Sequence, residues 1–117
     1  MKKWQQLEEW ICEKLKELDP YIRRTKGSGN KGEKGDLKFS TNLGLHIEAK
    51  YRDLLSVYNQ RWLEKCEEEI PLHVNKIAVV ITENKEGKRV AHLDAEDFWE
   101  IYKKALTYDD PSRLFNT

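Results

Sequence analysis

Long apolar runs are missing from this chain. No stretch of its 117 residues approaches the roughly 20 apolar residues of a membrane-spanning helix, and the first residues lack the apolar core of a secretory signal. No membrane association is expected, and a cytoplasmic, intracellular location is. Cysteine is scarce: Cys12 and Cys66 lie far apart with no CxxC pair, so two reduced, partly buried thiols are expected, and neither a disulfide framework nor a zinc site. The three histidines, His46, His73 and His92, do not cluster along the chain. A phosphate-binding P-loop is also absent, because Gly27 and Gly32 have the right separation but Glu33 stands where the lysine must be. Net charge is absent too, with 21 basic against 21 acidic residues.

The charges themselves are plentiful, at 36% of residues against a usual quarter. Four Trp, five Tyr and a clear apolar periodicity nevertheless argue for a folded chain, and its length for one domain, residues 1 to 117. The charge is unevenly placed. Residues 22 to 52 carry eight Lys and Arg against three acids, a net of +5, while residues 1 to 21 come to −1 and residues 53 to 117 to −4. Within the basic segment, residues 26 to 35 hold four Gly and three Lys. Such a loop cannot pack a core. It is either an idle connection or an arm that contacts phosphates, with Arg23, Arg24, Lys26, Lys31, Lys34 and Arg52 as the candidate contacts.

Periodicity gives the elements. Residues 3 to 18 form an amphipathic helix on whose wheel Leu7, Ile11, Leu15 and Leu18 fall within about 60° of Trp4, and Asp19-Pro20 ends it. Glu8 lies about 40° from Trp4, inside the apolar stripe, whereas Glu9 lies near 140°. A half-buried acid is paired, bound to metal, or reaching past the stripe to water. Residues 21 to 25 are a short strand or extended link. Residues 36 to 52 read as two short strands joined by a polar turn containing Thr41, Asn42 and Gly44. Residues 55 to 69 form a second helix with Leu55, Tyr58, Trp62 and Cys66 on one side, closed by Ile70-Pro71. Residues 76 to 82 are β-branched and apolar, as in a central strand covered on both faces, and residues 89 to 93 supply the next strand. Asp94 caps a last helix, residues 95 to 106, and residues 107 to 117 form a tail with Leu114 and Phe115 as anchors. The order is α-β-β-α-β-β-α, an α/β fold in which helices flank a mixed sheet.

The chemistry concentrates in residues 36 to 52. Strand alternation from Leu45 to Lys50 points Leu45, Ile47 and Ala49 inward and puts His46, Glu48 and Lys50 on the other side. Folding the hairpin back brings Asp36 beside Glu48 and Lys50. Two carboxylates hold a hard cation such as magnesium on a substrate phosphate, and an adjacent ammonium stabilises charge developing on phosphorus. The same spacing on a surface hairpin is also what ordinary solvated charges look like.

The flanking residues weigh on that choice. Arg23-Arg24-Thr25-Lys26-Gly27-Ser28-Gly29, then Gly35-Asp36, then Ile47-Glu48-Ala49-Lys50, all after an N-terminal helix, resemble the PD-(D/E)xK nuclease superfamily and within it the archaeal-type Holliday junction resolvases, also found in phages. The resemblance covers roughly residues 5 to 105; its one visible departure is Gly35, where the family has proline before the aspartate. It implies a restriction-endonuclease-like fold and a Mg²⁺-dependent endodeoxyribonuclease, with Mn²⁺ as a substitute. Glu8, Asp36, Glu48 and the Ala49 carbonyl would be the metal ligands, and Lys50 would activate the attacking water and stabilise the phosphorane. Ser28 would contact DNA and assist cleavage, and Gln60 would lie near the site. The implied substrate is a four-way DNA junction. One chain has room for one site, so paired symmetric nicks imply a homodimer, with Trp62, Trp99, Tyr102, Leu114 and Phe115 as available apolar surface. A restriction-like or single-strand or flap nuclease on the same core, and a non-cleaving nucleic-acid-binding protein, are the alternatives.

Overall fold

The arrangement of β-branched and helical segments resolves into three helices and five strands in a computed structural model, which describes residues 1–24, 37–38 and 44–109. In chain order these are α1 (Lys3–Leu15), β1 (Arg23–Arg24), β2 (Leu37–Lys38), β3 (Leu45–Tyr51), α2 (Gln60–Glu68), β4 (Ile77–Glu83), β5 (Arg89–His92) and α3 (Ala95–Asp109). The chain is a small α/β domain. Its main sheet is mixed, with β4 between a parallel β3 and an antiparallel β5, and β1 pairs antiparallel with β2 in a separate ribbon. Residues 36 to 52 do not pair as the expected hairpin among the described residues: β2 pairs with β1 and β3 with β4, in separate sheets, while Asp36 and residues 39–43 lie outside the described residues.

Strand alternation divides the core into two layers. Ile47, Ala49 and Val79 pack against Leu7, Ile11 and Cys12 of α1, with Ile22 and Leu37 closing the edge. Ala78 and Val80 pack against Cys66 of α2, with Trp62, Leu63 and Ile70 around them. β4 is thus buried on both faces, as its β-branched run requires.

The helices differ from expectation at their ends. The first stops at Leu15 and not at residue 18, because the Leu15 carbonyl accepts from both Leu18 and Asp19 N–H groups at 3.0 Å in a closing turn. Pro20 disfavours the helical conformation at the residue before it. The buried Asp19 instead accepts from the Tyr21 N–H at 3.1 Å. The second helix begins at Gln60, five residues later than expected. Asn59 caps it by accepting from the Arg61 N–H at 2.9 Å. Residues 54 and 55 are held by the β4–β5 turn: Lys85 N–H donates to Leu54 O at 3.0 Å and the Asn84 amide to Leu55 O at 2.7 Å. Those bonds compete successfully with the helix. In the same turn Asn84 Oδ1 accepts from the Glu86 and Lys88 N–H groups, and Gly87 takes the φ of +83° that a side chain would strain.

Asp94 caps α3 as expected, accepting from the Glu96 N–H at 2.9 Å. α3 runs on to Asp109, and no described side chain in it is buried. Phe98, Trp99 and Tyr102 form an exposed aromatic cluster on it. No helix among the described residues is long and apolar enough to cross a membrane.

Candidate active site

Because β3 and β4 are parallel, the crossover helix between them must run back against β3. Its first turn therefore lies over the end of β3 and its last turn over the beginning. That reversal builds the site. Lys50, near the end of β3, has its Nζ 5.9 Å from the ring centre of Trp62 in the first turns of α2, and the Arg52 guanidinium carbon lies 5.1 Å from the same ring. At the other end His46 Nε2 is 3.1 Å from Oε1 of Glu69, the C-cap of α2. The Cys66 thiol donates to the His46 carbonyl at 3.4 Å, tying the two elements together.

His46, Glu48 and Lys50 therefore share one face of β3, as alternation requires. That face is not an open one. α2 covers it, leaving His46 7% exposed and Glu48 and Lys50 half-buried. His46, Glu48 and Glu69 each offer a ligand atom, and these atoms all lie within 4.8 Å of one another. Burial and then the nearby Glu48 and Glu69 carboxylates push the Cys66 thiol up to about 12, so it stays protonated at neutral pH. Glu69, and with it the partner of His46, escaped the sequence argument. Histidine spacing along the chain says nothing about a partner 23 residues away, but a parallel β-α-β unit does bring the end of its helix back over the start of its first strand.

Glu8 is buried at 6% exposure while Glu9 is partly exposed, in agreement with the helix wheel. Its partner is Arg24: Nε donates to Glu8 Oε1 at 2.8 Å, Nη1 to Glu9 Oε1 at 3.4 Å, and the guanidinium lies 5.7 Å from the Trp4 ring centre. These bonds to Glu8 hold the guanidinium above its ordinary pKa. Arg24 is thus engaged by carboxylates, which compete with its expected role as a phosphate contact. A second Trp–Arg–Glu assembly sits on the same α1 face, where Arg89 bonds the buried Glu83 at 2.6 Å and stacks 4.5 Å from the Trp10 ring centre.

Of the remaining expected residues, Arg23 and Arg52 are exposed, and Arg52 donates to the Tyr51 carbonyl at 2.8 Å. Gln60 opens α2, exposed and donating to Glu64 at 3.2 Å. Ala49 is buried towards α1 and pairs with Ile81 in the β3–β4 ladder. Asp36, Lys26, Ser28, Lys31 and Lys34 lie outside the described residues, as do Leu114 and Phe115. Trp62 packs into the second core layer, whereas Trp99 and Tyr102 are exposed. Compared with protein-family models, curated proteins and solved structures, the chain matches none of them.

Proposed function

We propose that this chain is a magnesium-dependent endodeoxyribonuclease of restriction-endonuclease-like topology that resolves four-way (Holliday) junctions on intracellular DNA. The observation that carries this reading is β3, where Glu48 and Lys50 are neighbours on one half-buried face. A carboxylate beside a partly desolvated ammonium is the pairing that phosphodiester hydrolysis uses. Asp36 joins them on the strength of the sequence, and Ala49 would add its carbonyl. Glu8 fits less directly, because reaching an ion requires exchanging or sharing its bond to Arg24.

A bound Mg²⁺ would polarise the phosphate and make its water a nucleophile at neutral pH. The chain's own residues do the rest. Lys50, its Nζ 5.9 Å from the Trp62 ring centre, would donate to a phosphate oxygen as charge builds there. Arg23 and Arg52, exposed in the basic segment, supply phosphate contacts on either side of the strand. The exposed Phe98, Trp99 and Tyr102 of α3 offer surface for the two-fold dimer that paired nicks require.

Cleavage of a four-way junction, a duplex, a flap and a single strand, each with Mg²⁺ and with chelator, tests the reading. Paired symmetric nicks in the junction are expected, lost with chelator and in Asp36→Asn. Preference for the flap or single strand would move the assignment to another nuclease on this core. Binding of junctions with no metal-dependent cleavage would make the chain a non-cleaving binder.

A further inference from the structure

The geometry points to a second kind of ion site: we propose that His46, Glu48 and Glu69 bind a divalent first-row transition ion such as Zn²⁺, clamping the end of α2 onto the start of β3. Three ligand atoms from two elements already converge within 4.8 Å. Around tetrahedral zinc, ligand atoms sit about 3.3 Å apart, given bonds of about 2.0–2.1 Å. His46 Nε2 and Glu69 Oε1, 3.1 Å apart, are at that spacing, so only the Glu48 carboxylate has to swing inward.

The donor set selects the class of ion. Magnesium prefers oxygen and water in an octahedron and gives up its waters reluctantly, whereas an imidazole nitrogen favours zinc, copper, iron or nickel. Two carboxylates and one neutral imidazole balance a dication's charge. The site is partly preorganised, because the Cys66 thiol bonded to the His46 carbonyl fixes α2 against β3 at this level. It is enclosed as well, with the side chains of His46 and Glu69 8% and 22% exposed. An ordinary His46–Glu69 ion pair needs no third donor. The placement of Glu48 beside both is what distinguishes an ion site from that simpler arrangement.

The inference does not depend on nuclease activity, and its test reads metal binding directly. Full-length protein stripped with chelator is titrated with Zn²⁺ against a chromophoric competitor and with Co²⁺ by visible absorption, and melting is followed with and without Zn²⁺. One equivalent of Zn²⁺ should bind and raise the melting temperature. Changes beyond the direct ligands of a metal site cost about 10–100-fold in affinity, so Glu69→Gln and His46→Ala should each cost a hundredfold or more. Glu68→Gln, an exposed neighbour, should bind as wild type does. If His46→Ala fails to fold, Glu69→Gln, at the C-cap of α2, still decides. Mg²⁺ should bind at least about a hundredfold more weakly than Zn²⁺. Zn²⁺ affinity unchanged in Glu69→Gln, absent from wild type, or matched by Mg²⁺ would overturn the proposal. Glu69→Gln also separates the two readings, since Mg²⁺-dependent cleavage through Asp36 and Glu48 should survive it.

Discussion

The two faces of the main sheet are built from alternate residues of the same strands and have opposite characters. Facing α1 are Ile47, Ala49 and Val79, with the half-buried Leu45, Ile77 and Ile81 around them, and the buried acids Glu8 and Glu83 are paired with Arg24 and Arg89. Facing α2 are His46, Glu48 and Lys50 of β3 and a core of three buried residues, Cys66 of the helix itself with Ala78 and Val80 of β4. Burying ionisable groups beneath a helix costs free energy that apolar residues would not, a cost that both faces carry, the α1 face at Glu8 and Glu83 and the α2 face at His46. The α1 face carries the larger apolar cluster and the α2 face the smaller one, beside the polar row of β3.

Glu48→Gln is the sharpest way to break that contrast. It should lower magnesium-dependent cleavage by about 10³-fold, the scale of losing one preorganised electrostatic contact in an active site, and leave DNA binding intact or tighter because a repulsive charge is gone. Its melting temperature should move little. If the melting temperature falls as far as in a core deletion while cleavage persists, the α2 face is merely a second core and the nuclease assignment fails.

Core deletions sharpen the comparison from the other side. Leu7→Ala empties a fully buried position in the larger apolar cluster and should cost about 2–5 kcal/mol. Val80→Ala, equally buried but in the smaller layer and losing less hydrocarbon, should cost about 2 kcal/mol. Urea unfolding of both variants measures the difference. A larger loss at Val80 would mean that α2, not α1, anchors the fold.

The repeated Trp–Arg–Glu assembly gives a matched pair of acids. Glu8→Gln and Glu83→Gln each remove the nearest carboxylate from a partly buried guanidinium, Arg24 keeping only the longer contact to Glu9, and should each cost about 1–3 kcal/mol, below the fully buried limit because the arginines are partly solvated. Glu9→Gln, longer and half-exposed, should cost less than about 0.5 kcal/mol. Cleavage measured well below the melting temperature should fall in Glu8→Gln alone. Equal residual activity in the Glu8 and Glu83 variants would make Glu8 a structural acid with no part in metal binding.

Much of this contrast was legible in the residues. The alternation from Leu45 to Lys50 set which side chains share a face, the wheel put Glu8 inside the α1 stripe and Glu9 outside it, and the β-branched run before Thr82 marked the central strand. What stayed hidden depends on contacts between distant segments. Residues 54 and 55 take their conformation from Asn84 and Lys85, so local periodicity alone overextended the helix that follows. His46 and Glu69 meet through the direction of a crossover, and Arg24 finds Glu8 across the α1–β1 packing. No spacing rule within a window of a dozen residues carries either meeting.

The smallest expected effect is a pH dependence on the α2 face. His92, on β5, bonds Thr82 Oγ1 through Nε2 at 2.9 Å and stacks on Tyr58 with ring centres 4.5 Å apart, in a cleft of about 300 Å³ that Lys88 also lines. Burial holds its pKa below the ordinary value of 6.5. The unfolded chain therefore takes up a proton before the folded one does, and the imidazole's contribution to stability, complete above about pH 6.5, is lost as pH falls through the folded pKa. Glu67 and Asp97 act in the opposite sense. Burial and the nearby Asp94 carboxylate raise both, so their mutual repulsion persists at neutral pH and is relieved only on acidification through their raised values. The melting temperature should therefore decline from pH 7.5 towards pH 6, before the carboxylates begin to compensate. His92→Gln, which can keep a hydrogen bond to Thr82, should flatten that decline, and Asp97→Asn should raise the whole curve at neutral pH. Parallel curves for wild type and His92→Gln would show that the ring is solvated when folded, and that the polar character of this face ends at Lys50.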